Sequence, residues 1–234
     1  MPGHSDGFRS SHLSCAPVSS NGVRTTRIAL VGGFKPIKCG IATFTTDVYE
    51  QMCRWLPGYE IDVYAMVPTA ATPIAPEAFA TITQHDPQSY ISAANRMNDT
   101  GVDVVWIQHE FGIFGGDAGQ MVLELIDAVA PPIVITLHTV LQSPTPQERS
   151  VMDKMRAKAS MFVVMSSTGR DILLSTYGVD PRFVQIVEHG APDRPCMTTR
   201  DARMAVGLPE RPTIMTFGLL GPGKGVETDR KSVV

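Results

Sequence analysis

Arg27-Ile-Ala-Leu-Val-Gly-Gly33 is a short apolar run that ends on two glycines, and the chain repeats its plan several times. A continuous apolar run of this length, stopped by turn residues, reads as a strand covered on both faces. Eight residues on, Ile41, Phe44, Val48, Met52 and Trp55 recur at helical spacing. Strand, glycine turn and helix together make the first half of a βαβ unit. Further along, Ile61 to Val67, Thr81 to Thr83, Val102 to Gln108, Ile133 to Leu137, Met161 to Met165 and Phe183 to Val187 read as strands. Helices are expected over Pro87 to Met97, Pro146 to Lys158 and Thr168 to Tyr177, the last stopped by Gly178. Another is expected on the face Met121, Val122, Leu125, Ile126 and Val129, with Asp117 and Gln120 as its capping pair. Ser166-Ser167-Thr168 reads as a helix cap. The expected fold is α/β: a doubly wound, mostly parallel Rossmann-like sheet.

The bulk properties narrow the function classes. A net charge of −3 over 234 residues argues against a broad nucleic-acid footprint. No apolar run approaches the roughly 20 residues of a membrane-spanning helix. Cys15, Cys39, Cys53 and Cys196 have neither metal-ligand nor redox-pair spacing and read as free thiols, so a cytoplasmic location is expected. Residues 1–26 are rich in Ser, Gly and Arg, lack an apolar core segment and read as a disordered tail.

In doubly wound sheets, ligands bind beyond the carboxyl ends of the strands. The polar candidates of this chain stand there, directly after apolar runs. In Gly32-Gly33-Phe-Lys-Pro-Ile-Lys-Cys-Gly40 a helix starts just past Gly40, and its N-terminal amides suit an anion or sugar phosphate, with Lys35 and Lys38 nearby. The competing reading is an ordinary strand–helix turn. In Gln108-His109-Glu110-Phe111-Gly112, His109 and Glu110 are candidates for sugar hydroxyls. The alternative is a histidine held by backbone partners; no second His follows to make a zinc motif. His138, after Ile133 to Leu137, would sit at a cleft mouth, although a structural role is the commoner fate of such a residue. His189, in Glu188-His-Gly190-Ala-Pro-Asp193, would face the same cleft or simply lead into a connection. Near the C-terminus, Ile214 to Phe217 reads as a buried strand. It breaks into Gly218-Leu-Leu-Gly-Pro-Gly223-Lys224-Gly225, a loop suited to a phosphorylated ligand.

Together these segments resemble the family-4 glycosyltransferases of the GT-B architecture, retaining enzymes that use nucleotide-diphosphate sugars. Gly32-Gly33 to Gly40-Ile-Ala-Thr-Phe44 is similar to the family's N-terminal glycine loop, and Thr136-Leu-His138 to the segment with its active-site histidine. Glu188-His189-Gly190-Ala-Pro-Asp193 is similar to its His-Gly turn, and Phe217 to Glu227 to the start of its donor domain. The resemblance covers about residues 27–227 and implies two Rossmann-like domains facing across a cleft. It implies that His138 contacts the donor sugar near the reacting carbon, as the catalytic residue. It also implies that Gly40 amides, Gly223 and Lys224 meet the diphosphate, while Gly33, His109, Glu110 and His189 line the cleft. No metal or other cofactor is implied. The implied partners are a nucleotide-sugar donor and a glycan or lipid-linked acceptor, with peripheral membrane contact and no nucleic acid. Leu219 stands where many members of the family carry arginine, so one expected diphosphate contact is either absent or supplied elsewhere.

The expected domains are therefore 27–190 as the acceptor-side domain, 191–211 as an interdomain linker with a short helix near Asp201 to Val206, and 212–228 as the start of a donor-binding domain. Residues 229–234 do not continue the helix begun at Val226-Glu227, and their back-translation matches a common sequencing-adapter read. They are expected to be a non-native tail, with the rest of the donor domain missing and the chain inactive by itself. Two other readings stand beside this one: a GT-B-like nucleotide-sugar epimerase, and a non-enzymatic α/β module that binds sugar or phosphate.

Overall fold

The computed structural model describes residues 25–191, 195–213, 215 and 218. They divide into two compact units, one within residues 1–188 and one within 189–234. The first is built on seven parallel strands: β1 (Thr26–Gly33), β2 (Tyr59–Val67), β3 (Ala78–Thr83), β4 (Val104–His109), β5 (Ile133–Leu137), β6 (Met161–Val164) and β7 (Val184–Ile186). Their order across the sheet is β3-β2-β1-β4-β5-β6-β7. This is the expected Rossmann-like α/β architecture.

The order explains which helix covers which face. From β1 the chain moves one way to β2; from β3 onward it moves the other way through β4 to β7. Crossovers of one hand that run in opposite directions place their helices on opposite faces. Accordingly α1 (Gly40–Trp55) brings Tyr49, Val48 and Met52 against Leu30, Ile61, Val63 and Ala65 on one face. The helices α2 (Pro87–Asp99), α3 (Val122–Ala128), α4 (Pro146–Lys158) and α5 (Ser167–Tyr177) cover the other. There Met97, Leu125, Met155 and Tyr177 close over Val31, Val105, Ile107, Ile135 and Phe162. The change of direction falls between β1 and β4, where carboxyl ends of neighbouring strands part and leave a crevice.

Local signals set the element ends. In α4 the Thr145 hydroxyl accepts from the Glu148 amide, and the Glu148 carboxylate accepts from the Thr145 amide, a reciprocal capping box with Pro146 at the first helical position. Thr145→Ala is expected to lower stability by about 1 kcal/mol in urea denaturation, with the midpoint falling at unchanged slope. The Ser166 hydroxyl caps α5 by accepting from the Gly169 amide, and Gly178 ends it in the left-handed region at φ +63°. One expectation fails. Asp117 and Gln120 do not cap α3: Asp117 lies in a 3₁₀ turn, Asp117–Gly119, and the cap position Met121 makes no side-chain bond. Three closely spaced glycines, Gly115, Gly116 and Gly119, turn the chain there instead, two of them at positive φ.

The second unit is short. Its helix α6 (Thr199–Ala205) is capped by Thr198, and Arg203 donates to the Pro209 carbonyl and to Thr213. Of the strand expected at 214–217 only Met215 is described, and it is in no strand; the glycine–lysine loop with Gly223 and Lys224 lies outside the described residues. No helix among the described residues is long and apolar enough to cross a membrane.

Candidate functional site

The crevice between the carboxyl ends of β1 and β4 collects most of the candidates of the first unit. On the β1 side, Gly33 leads into a turn in which the Ile37 amide donates to the Phe34 carbonyl. Phe34 is buried edge-on against Tyr49. The turn delivers the chain to α1, whose cap is the Cys39 sulfur, accepting from the Ala42 amide at 3.3 Å. A Cβ on Gly33 would lie 3.4–3.5 Å from the Ala42 backbone and Cβ, an ordinary contact. A Cβ on Gly40 would meet nothing within 4 Å. Packing therefore does not require glycine at 40, and the open space lies at the N-terminus of a 16-residue helix, where amides suit an anion.

Lys35 does not add to that anion site. Its ammonium is 2.9 Å from Glu77 and 3.2 Å from Glu50. Burial lowers its pKa, but hydrogen bonds to the two carboxylates outweigh that and raise it. Its charge is neutralised within the fold, where sequence spacing alone suggested a cation at hand.

On the β4 and β5 side, strand alternation decides which residues reach the crevice. Gln108 points to the α1 face and is fully buried. His138, just past β5, extends the ladder by donating its amide to the His109 carbonyl at 3.0 Å. Its imidazole Nε2 lies 3.1 Å from Gln108 Oε1, and its ring meets Phe44 of α1 edge-on at 4.7 Å. Gly32 makes room for this arrangement. A Cβ there would stand 3.0 Å from both Gln108 Cβ and Thr45 Oγ1, tighter than ordinary contact. Gly32→Val is expected to push Gln108 aside and break its bond to His138, read as a shift of the His138 ring resonances while the circular dichroism stays that of the folded protein.

His109, expected to meet sugar hydroxyls, instead faces inward. It is fully buried, stacked on Phe114 at 5.6 Å and edge-on to Phe111 at 5.0 Å. The reason is the two-residue period of the strand, which sends its side chain to the face opposite Gln108. Neither ring nitrogen has a hydrogen-bond partner among the described residues. Burial, then the neighbouring His138, pushes its pKa down to about 3. Between that value and the ordinary pKa near 6.5 the unfolded chain binds one more proton than the folded one, so stability falls as pH falls. His109→Phe is expected to remove this dependence. Wild type should lose roughly 1 kcal/mol more per pH unit than the variant between pH 6 and 4, measured by urea denaturation.

Glu110 bridges two loops. One oxygen accepts from the Phe111 amide at 3.1 Å, and the other from the Thr139 hydroxyl at 2.6 Å. It thereby ties the turn after β4 to the residue next to His138. His189 belongs to the second unit, is exposed, and lies with Nδ1 2.9 Å from the Gly190 carbonyl oxygen. Among the described residues no group of three or more His, Cys, Asp or Glu side chains is placed to hold a metal ion. Sequence reading missed two members of the site, Gln108 and Phe44. The available signal was a single amide side chain closing the otherwise apolar run Val104 to Ile107.

No protein-family model matches the sequence, and neither does any curated protein. Solved structures do match in fold. The crystal structure of a glycosyltransferase from Rickettsia africae ESF-5 superposes with a TM-score of 0.54 at 15% identity, over 80% of this chain and 51% of that one. A UDP-N-acetylglucosamine 2-epimerase from Rickettsia bellii matches with a TM-score of 0.48 at 9% identity, over 69% of this chain and 44% of that one. The chain thus spans about half the length of that glycosyltransferase and shares its fold over that span.

Proposed function

We propose that residues 27–190 form the acceptor-side half of a retaining GT-B glycosyltransferase of family 4, and that the complete enzyme moves a sugar from a nucleotide-diphosphate donor to a hydroxyl of a glycan or lipid-linked acceptor. In this reading residues 191–211 connect to a donor-binding domain that begins at 212, and the reaction takes place in the cytoplasm. The observation that carries the proposal is the convergence of the open Gly40 helix terminus, Gly33, Phe44, Gln108 and His138 at the point where the sheet changes direction. The likeness in fold to a glycosyltransferase supports it.

The chemistry assigned to the residues is electrostatic. As the bond between the sugar and the diphosphate breaks, negative charge grows on the leaving group. Fixed amides at the α1 N-terminus stabilise that charge without reorganising. His138 meets the sugar near the reacting carbon and holds its orientation. Glu110 keeps Thr139, and with it the strand tip, in register for that contact. His109 supports the site from beneath as a neutral, buried ring.

Titration of UDP-glucose and GDP-mannose, followed by amide and imidazole resonances, tests the assignment. Perturbation centred on Gly33, Gly40 and His138, strengthened in a version extended through the donor domain, is the expected result. Equal affinity for both versions would instead favour a self-sufficient binding module. Release of an epimerised nucleotide sugar by the extended version, with no acceptor consumed, would favour an epimerase.

A further inference from the structure

We infer that Gln108 is the positioning residue for His138, holding its ring as the Nε2–H tautomer. The inference deepens the proposed function and rests on it for His138 being a residue of the reaction; the tautomer itself does not depend on that reading.

Four elements converge to fix the pair. Parallel pairing sets Gln108 of β4 opposite Thr136 of β5, and His138 follows two residues later on the same face. The amide oxygen thereby comes within 3.1 Å of Nε2. An amide oxygen can only accept, so with the Gln108 amide in this orientation the imidazole nitrogen facing it carries the proton. From α1, Phe44 presses edge-on against the ring at 4.7 Å, and Gly32 of β1 leaves space for the Gln108 side chain.

Stability does not explain the glutamine. Its amide nitrogen is buried and has no partner among the described residues, and an unmet donor of this kind costs on the order of 1–3 kcal/mol. Methionine would occupy much the same volume without that cost. A residue that is unfavourable for folding yet aimed at the ring of the candidate catalytic histidine fits a role in the site.

The test uses the 15N-labelled chain at pH 8, in long-range 1H–15N correlation spectra of the imidazoles. The His138 signals are identified by their loss in His138→Ala. Wild type is expected to show protonated Nε2, unprotonated Nδ1 and a slowly exchanging Nε2–H. Gln108→Met should speed exchange of that proton at least tenfold and mix the tautomers, with a melting temperature no lower than wild type. Gln108→Glu, which keeps an acceptor, should restore slow exchange and move the proton downfield. A His138 pattern identical in wild type and Gln108→Met, or an Nδ1–H tautomer in wild type, overturns the inference. Should Gln108→Met fail to fold, an unmoved Nε2–H in Gln108→Glu overturns it equally. UDP-glucose is then added to wild type. Indifference of His138 to it would count against the glycosyltransferase reading while leaving the Gln108–His138 result intact.

Discussion

His138→Ala, introduced into a version of the protein extended through its donor domain, is expected to lower kcat/KM for sugar transfer by roughly 10²–10³-fold, the size usual for losing one preorganised polar contact to a transition state. The geometry makes the loss specific. His138 is held from three sides: its amide by the His109 carbonyl, its Nε2 by Gln108 and its ring by Phe44. Truncation leaves that frame standing, because the backbone bond survives and the side chain is only partly buried. Stability should therefore change little while turnover collapses. A contact stronger in the transition state than in the bound substrate lowers kcat, whereas uniform binding appears in KM. The expectation is a kcat effect with KM within a few-fold of wild type. Steady-state kinetics with varied donor and saturating acceptor decide the matter. Wild-type kcat in a folded variant would remove His138 from the chemistry.

The second large effect is on the fold. Gly115→Ala is expected to destabilise the protein by about 3–4 kcal/mol, which lowers the melting temperature of a domain this size by about 10 °C. A Cβ on Gly115 would collide with the Gln84 carbonyl oxygen and come within 2.7 Å of Met121 Sδ. The surroundings have little room to give. The Gly115 amide donates to the Tyr90 hydroxyl, the hydroxyl donates to the Gln84 carbonyl, and the Gly115 carbonyl accepts from Met121. One methyl group thus strains a chain of hydrogen bonds linking the end of β3, α2 and the entry to α3. Gly112→Ala is the control, since a Cβ there meets nothing within 4 Å; it should stay within about 0.5 kcal/mol of wild type. Equal melting temperatures for the two variants would show that this junction is looser than its geometry implies.

These predictions divide along the line between local and distant information. The order of strands and helices was legible because each apolar run, glycine stop and cap acts over a few residues. Pro146, Ser166 and Gly178 announced their helix ends, and Ile133 to Leu137 its strand. The glycine turn and His138 were legible as strand-tip residues for the same reason. The partners of those residues were not. Gln108 and His138 are 30 residues apart in the chain, and Lys35 and Glu77 are 42 apart by number. Their meetings depend on strand register and on which face each helix covers.

What the amino-acid order determined alone was the alternation of elements, the parallel sheet it forces, and the gathering of polar residues at strand ends. Tertiary structure alone decided that Gln108 faces His138 while His109 turns into the core, that Lys35 is neutralised by carboxylates from α1 and the loop before β3, and that Gly115 has no space for a methyl group. The reason is physical. Periodicity is set by the backbone of each segment, whereas a contact exists only once separate segments are fixed against one another, and a shift of one residue in register would exchange every inward side chain for an outward one.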